Sequence, residues 1–203
     1  MSILTKEEEI VVFHYELGAA ITQWAVVEDM LRHILVTFFE NHGLNRESLS
    51  VGLFSLEGFR AKLAFVEGTV SRKLAASEHI DEWKALVKKA EDYSRQRNKL
   101  AHRAIGKYWE CPAGRRVALV PWKFKKTKKK TRVPRPPDGS LYIRDIQKLK
   151  LQFRALAVAL ENFLYRGLGR TPPHPESDEV PANPPTLQQT VKEIRGVFMV
   201  SSK

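Results

Sequence analysis

Two arginines, an asparagine and a histidine fall within Arg95 to His102, reading R-Q-R-N-K-L-A-H, with no carboxylate among them. These residue types suit chemistry at a phosphodiester. An imidazole takes the proton from a ribose 2′-hydroxyl or gives one to a departing 5′-oxygen. A guanidinium holds the phosphate and stabilises the charge that develops on it. An asparagine hydrogen-bonds the histidine, the ribose or a phosphate oxygen. The 2′-hydroxyl is itself the nucleophile, so such a site needs no metal, and its substrate must be RNA.

Spacing by itself is weak support, since Arg72 and His79 also fit an Arg–His separation of four to six intervening residues, across a predicted helix junction. The elements that carry the cluster say more. Ser77 reads as the N-cap of a helix with Glu78 and Asp81 in its first turn. Its seam runs Ile80, Trp83, Val87, Ala90, Ser94 and Arg97, turning polar as it reaches Arg97. On a regular helix Asn98 and His102 share one face. Arg97 lies about 140° round from His102. The two reach one cleft if the helix loosens near its end or if a second subunit packs across it.

Thr5 and Glu8 form a capping box, which predicts a first helix from Thr5 to about Asn41. Its seam is Ile10, Leu17, Ile21, Trp24, Leu31, Leu35 and Phe38, with His14 and Glu28 on the same face. Glu28 sits between Trp24 and Leu31, where burial without a partner is costly. It therefore requires a cation or donors from another helix. Either it holds register as a plain ion pair, or it positions the Arg97/His102 cluster. For His14, a satisfied core or interface histidine is the expected role.

Leu44 to Phe54 reads as a connector, and Ser55 as the cap of a second helix running to about Ala76. After the third helix, Lys107–Cys111 and Val117–Val120 flank Pro112-Ala113-Gly114 as a small β-hairpin. A fourth helix follows the Asp138-Gly139-Ser140 turn, with Ile146, Leu149, Phe153, Leu156, Leu160 and Phe163 stepping by three and four, and ends at Gly167 and Gly169. The expectation is an all-α fold: a four-helix bundle over 1–169, with a hairpin and basic loop (107–139) inserted between the third and fourth helices. Residues 170–203 form a proline-rich tail with six prolines between Thr171 and Pro185. A short amphipathic segment, Leu187, Val191, Ile194 and Phe198, docks on the bundle or on a partner.

Charge is placed unevenly. The chain carries +11, and ten basic residues with no acidic one lie between Cys111 and Pro137, leaving +1 elsewhere. Lys123, Lys125, Lys126, Lys128, Lys129, Lys130 and Arg132 make a candidate arm for RNA phosphate, giving affinity without sequence readout. Tyr108, Trp109, Trp122 and Phe124 flank it, either to stack on bases or to pack the hairpin. The bland reading is a solvated charge run.

The string Arg97-Asn98-Lys99-Leu100-Ala101-His102 resembles the signature of HEPN domains, in which arginine and a polar residue precede a histidine. The resemblance spans about Thr5 to Gly169, and includes a first helix like Trp24-Ala25-Val26-Val27-Glu28-Asp29-Met30-Leu31. It implies a helical bundle that acts as a homodimeric, metal-independent endoribonuclease. It also implies a toxin–antitoxin, phage-defence or RNA-processing setting, in some cases with a cognate inhibitor. Arg97, His102 and Asn98 carry over as catalytic, with Glu28 orienting them. Some members bind RNA or a protein partner without cleaving, so a silent binding module is the alternative. The competing structural account is that Arg97 merely neutralises Glu28.

Composition narrows the rest. At 203 residues and 43% hydrophobic, the chain buries a core without disulfides, and a single cysteine, Cys111, precludes an intrachain one. The six histidines have no metal-ligand spacing, so neither metal nor other cofactor is expected. No uninterrupted apolar run reads as a membrane span, and the acidic N-terminus lacks a signal peptide's hydrophobic region, which predicts a cytoplasmic protein without membrane association.

Overall fold

The structure is a computed structural model that describes residues 5–40, 45–107, 117–121, 138–173 and 189–190. It is predominantly helical. In chain order come α1 (Lys6–Glu40), α2 (Arg46–Ser55), α3 (Gly58–Lys73), α4 (Ile80–Ala101), β1 (Ala104–Lys107), β2 (Val117–Val120) and α5 (Ile143–Gly167). The chain divides into two units: one of residues 1–21, 98–151 and 181–203, the other of 22–97 and 152–180.

In the second unit, aromatic residues at helical spacing make the core. Trp24 packs edge-on against Phe59 and Phe153, at 4.7 and 5.2 Å between centroids. Trp83 stacks on Phe163 at 5.2 Å, and Tyr93 lies 6.0 Å from Phe153. Such contacts add to the area each ring removes from water. Leu63, Val66 and Val70 are buried from α3, as their spacing predicts. Arg166 pairs with Glu82. The end of α5 is fixed by two glycines. A Cβ at Gly167 would lie 2.7 Å from Phe38 Cζ, so a larger residue there would have to displace the Phe38 ring. Gly169 adopts φ 65°, its N–H donating to Arg166 O and that of Arg170 to Tyr165 O, a Schellman closure.

Two expectations fail in this unit. The segment read as a connector is the helix α2, capped by Asn45, whose side-chain oxygen accepts from Glu47 N at 2.8 Å. Its serines, valine and glycine argue locally against a helix, but the cap and the burial of Leu53 offset them. Ser55 is no N-cap: its hydroxyl donates to Gly52 O, and α3 begins at Gly58.

In the first unit, the capping box is present. Thr5 N donates to Glu8 Oε2 at 3.0 Å, and Glu8 N to Thr5 Oγ1 at 3.2 Å. The buried face of α1 here is Val12, Phe13, Glu16 and Ala20, not Ile10, His14, Leu17 and Ile21. The predicted seam is one residue out of phase over these turns, and His14 is exposed, its ring Nδ1 bonded to Ile10 O at 2.8 Å. Glu16 is fully buried, as are Gln147 and Thr190. Glu16 Oε1 accepts from Gln147 Nε2 at 2.9 Å and from the Thr190 hydroxyl at 3.1 Å, and Oε2 accepts from Lys150 Nζ at 2.6 Å. Gln147 Nε2 also donates to the Thr190 hydroxyl oxygen at 3.1 Å. Thr190 of the C-terminal segment therefore docks on its own chain.

The hairpin pairs β1 with β2 antiparallel, Ala104 opposite Val120 and Lys107 opposite Val117. Its first arm starts three residues earlier than the sequence pattern places it, and residues 108–116 lie outside those described. Leu119 exchanges both backbone hydrogen bonds with Leu141, at 2.8 and 2.9 Å. All four residues of β2 are buried. Tyr142 N donates to Asp145 Oδ2 at 2.8 Å, which seats the start of α5.

By length and composition, α1 can cross a bilayer: Lys6–Phe39 is 34 residues long and its most apolar window has mean hydropathy 1.4. This differs from the expectation that no uninterrupted apolar run spans a bilayer, because an average over a window tolerates polar residues that break such a run.

Candidate functional site at the end of α4

Glu28 is the carboxylate of this site. Its side chain is about a quarter exposed (26%), and Oε1 accepts from Trp24 Nε1, one turn earlier on α1, at 2.6 Å. That charge-assisted bond fixes the carboxylate against the aromatic core. Two cations from other helices face it. Arg97 Nη2 of α4 lies 3.9 Å from Oε1, and Lys62 Nζ of α3 lies 4.0 Å from Oε2. Both distances are ion pairs too long for hydrogen bonds. The expectation that Glu28 draws a cation from another helix is met, with a second one the sequence reading did not name.

Arg97 keeps a third of its side chain exposed. Arg95 belongs to the outer face instead, paired with Glu91 at 3.2 Å and Asp92 at 3.6 Å. Tyr93, one turn before Arg97, is pushed above its ordinary pKa, first by burial and then by the charge of Asp92.

Asn98 and His102 are both exposed. The helix stays regular to its end, with His102 N donating to Asn98 O at 3.0 Å. It does not loosen, so Asn98 and His102 share a face and the angle of about 140° between Arg97 and His102 persists. The structure thus brings Glu28 and Arg97 together, and Asn98 and His102 belong to the other unit of the chain. Immediately beyond, Arg103 Nη1 donates to Gly139 O in the turn before α5. Burial pushes the Arg103 guanidinium below its ordinary pKa. With β1 starting at Ala104, this contact anchors the chain just past His102.

Lys123, Lys125, Lys126, Lys128, Lys129, Lys130 and Arg132, together with Tyr108, Trp109, Trp122 and Phe124, lie outside the described residues. Two residues near Glu28 escaped the sequence reading. Lys62 lies one position before Leu63 of the α3 seam and has no distinctive local signal. Phe54 was assigned to a connector, yet it is 64% exposed on α2 with Lys62 Nζ 5.6 Å from its ring centroid.

A half-exposed guanidinium seated by a carboxylate can hold an anion, and an exposed imidazole can exchange a proton with a bound group. No protein-family model, curated protein or solved structure matches this chain.

Proposed function

We propose that this protein is a metal-independent endoribonuclease of HEPN type, a cytoplasmic four-helix bundle acting as a homodimer. The observation that carries the reading is the arrangement on α4: Arg97 is seated by Glu28 yet a third exposed, and exposed His102 follows five residues later. His102 takes the proton from the 2′-hydroxyl as that oxygen attacks the adjacent phosphorus. The bond from phosphorus to the 5′-oxygen breaks, and the leaving oxygen receives a proton. The products are a 2′,3′-cyclic phosphate and a 5′-hydroxyl. Arg97 stabilises the phosphate charge, Asn98 hydrogen-bonds the ribose or a phosphate oxygen, and Glu28 positions Arg97. Because α4 is regular, one subunit's Arg97 works with its partner's His102 across paired α4 helices. The basic segment around Lys125 to Lys130 recruits RNA, and the proposed setting is a toxin–antitoxin or phage-defence system.

Purified protein should cleave RNA in the presence of EDTA, while a substrate with a 2′-deoxy sugar at the cut site stays whole. His102→Ala should slow cleavage by about 10²- to 10⁴-fold. A His102→Ala protein that cuts as fast as its parent sinks the proposal.

A second reading, a catalytically silent bundle that binds RNA or a protein partner, is favoured by one observation. The Glu28 pair accounts for Arg97 without any substrate, and His102 stands apart from it on α4. That reading predicts salt-sensitive RNA binding which survives Arg97→Ala and His102→Ala and drops when Lys125 to Lys130 are neutralised.

A further inference from the structure

The short helix α2 buries Leu53 and turns Val51 and Phe54 outward, 68% and 64% exposed. A single exposed apolar residue needs no explanation. Phe54 differs because of its neighbours, all within the same unit of the chain. Lys62 places its ammonium 5.6 Å from the centroid of the Phe54 ring, a cation–π distance. The same ammonium lies 4.0 Å from Glu28 Oε2, and the other oxygen of that carboxylate lies 3.9 Å from Arg97. One carboxylate therefore faces two cations, one at each oxygen, and Lys62 also borders an exposed aromatic ring. Glu28 faces both cations, and its single negative charge leaves that trio net positive.

We propose that Phe54 and Lys62 form a nucleotide subsite next to the phosphate held by Arg97: a single-stranded base stacks on Phe54 and its phosphate contacts Lys62. The assignment rests on the ribonuclease reading for what occupies Arg97. A strongly hydrated ammonium beside a ring suits a partner that is aromatic and anionic at once, which a nucleotide is and an apolar protein surface is not. Stacking on an aromatic ring is tolerant of base identity, so this subsite adds affinity for single strands rather than sequence choice. Glu28 also prevents the two cations from repelling each other before the strand arrives.

The test is binding of a fluorescein-labelled single-stranded oligonucleotide, 2′-deoxy throughout so that it cannot be cut, measured by anisotropy at several salt concentrations. The proteins are wild type, Phe54→Ala, Phe54→Trp, Lys62→Ala and His102→Ala, with RNA cleavage followed in parallel. The expected result is about tenfold weaker binding for Phe54→Ala, with wild-type affinity kept by Phe54→Trp. Lys62→Ala should weaken binding and reduce the slope of log affinity against log salt by about 0.7, the loss of one phosphate contact. In cleavage, both alanine variants should raise KM and leave kcat unchanged. Unchanged binding in Phe54→Ala and Lys62→Ala, with cleavage still dependent on His102, overturns the subsite and leaves the ribonuclease reading standing. Weaker binding in both variants, with His102→Ala cutting like its parent, supports the subsite and removes the ribonuclease reading. A change of sedimentation from dimer to monomer in Phe54→Ala, with affinity for the oligonucleotide intact, shows a protein interface and also overturns the subsite.

Discussion

Two of the carboxylates on helix α1, Glu16 and Glu28, draw opposite environments from the same element. Glu16 is fully buried, and donors from Gln147, Lys150 and Thr190 reach it at 2.6 to 3.1 Å. Glu28 is a quarter exposed, held at short range by Trp24 on its own helix, and its two cations stand at 3.9 and 4.0 Å. A buried charge has to be fully satisfied, because an ion without donors in a dry interior is far more costly than its pair is worth. A partly exposed charge is under no such demand, because solvent can reach it. Loose pairs at a surface contribute little to stability, on the order of 0–1 kcal/mol. The Glu16 arrangement is therefore structural, whereas Glu28 faces two loosely paired, partly exposed cations.

The comparison is broken or sharpened most strongly at Glu16. Glu16→Ala strips Lys150, Gln147 and Thr190 of their shared acceptor. Removing one partner of a buried charged network costs about 3–5 kcal/mol. For a chain of this size that lowers the melting temperature by roughly 10 °C. Differential scanning calorimetry measures it directly. A loss as small as that of a surface ion pair would mean that water reaches Glu16 and that the contrast with Glu28 is false.

Thr190→Val comes next. It keeps the shape of the side chain and removes one donor and one acceptor, leaving Gln147 and Glu16 each short of a bond. The expected cost is about 1–3 kcal/mol. The C-terminal segment should also become more open to proteolysis, because this hydroxyl bonds it to Gln147 and Glu16. Limited trypsin digestion at Lys192 and Arg195 follows it. Equal digestion of variant and parent would show that other contacts hold the tail.

These two sites also show what the sequence could reveal. Glu28 was legible because it falls between Trp24 and Leu31 on a regular seam, and a carboxylate there must find a cation. Arg97 was legible as that cation because the seam of α4 turns polar on reaching it. Glu16 was not legible. One residue separates it from Leu17, and the apolar pattern of α1 is so dense near its start that a seam one position out of phase fits equally well. Its partners lie 131 to 174 residues away, and no local pattern encodes such a contact. The helix α2 was hidden for another reason. R-E-S-L-S-V-G-L-F-S has the composition of a loop, and the cap at Asn45 and the burial of Leu53 overrule it. That miss also concealed Phe54. The glycine end of α5 follows the sequence pattern at Gly167 and Gly169, whereas α4 begins at Ile80, three residues after Ser77, whose hydroxyl accepts from His79 N in the turn before the helix, so that Glu78 lies outside the first turn.

Glu28→Gln should have the smallest effect on stability and is the most discriminating of the three. The amide oxygen still accepts from Trp24 Nε1, so the aromatic core stays seated. The charge facing Arg97 and Lys62 is gone, and loose pairs of this kind are worth on the order of 0–1 kcal/mol. If Glu28 matters only as a neutralising partner, nothing beyond that small loss should follow. If it positions Arg97 for a phosphate, kcat for RNA cleavage should fall on the order of tenfold or more, since misplacing a catalytic group by about 1 Å costs up to 10²-fold. Affinity for a single strand should meanwhile hold or rise, because a repelling negative charge has been removed from between two cations. Stability, kcat and affinity moving in three different ways cannot be produced by a purely structural ion pair, which would lower all three together or none.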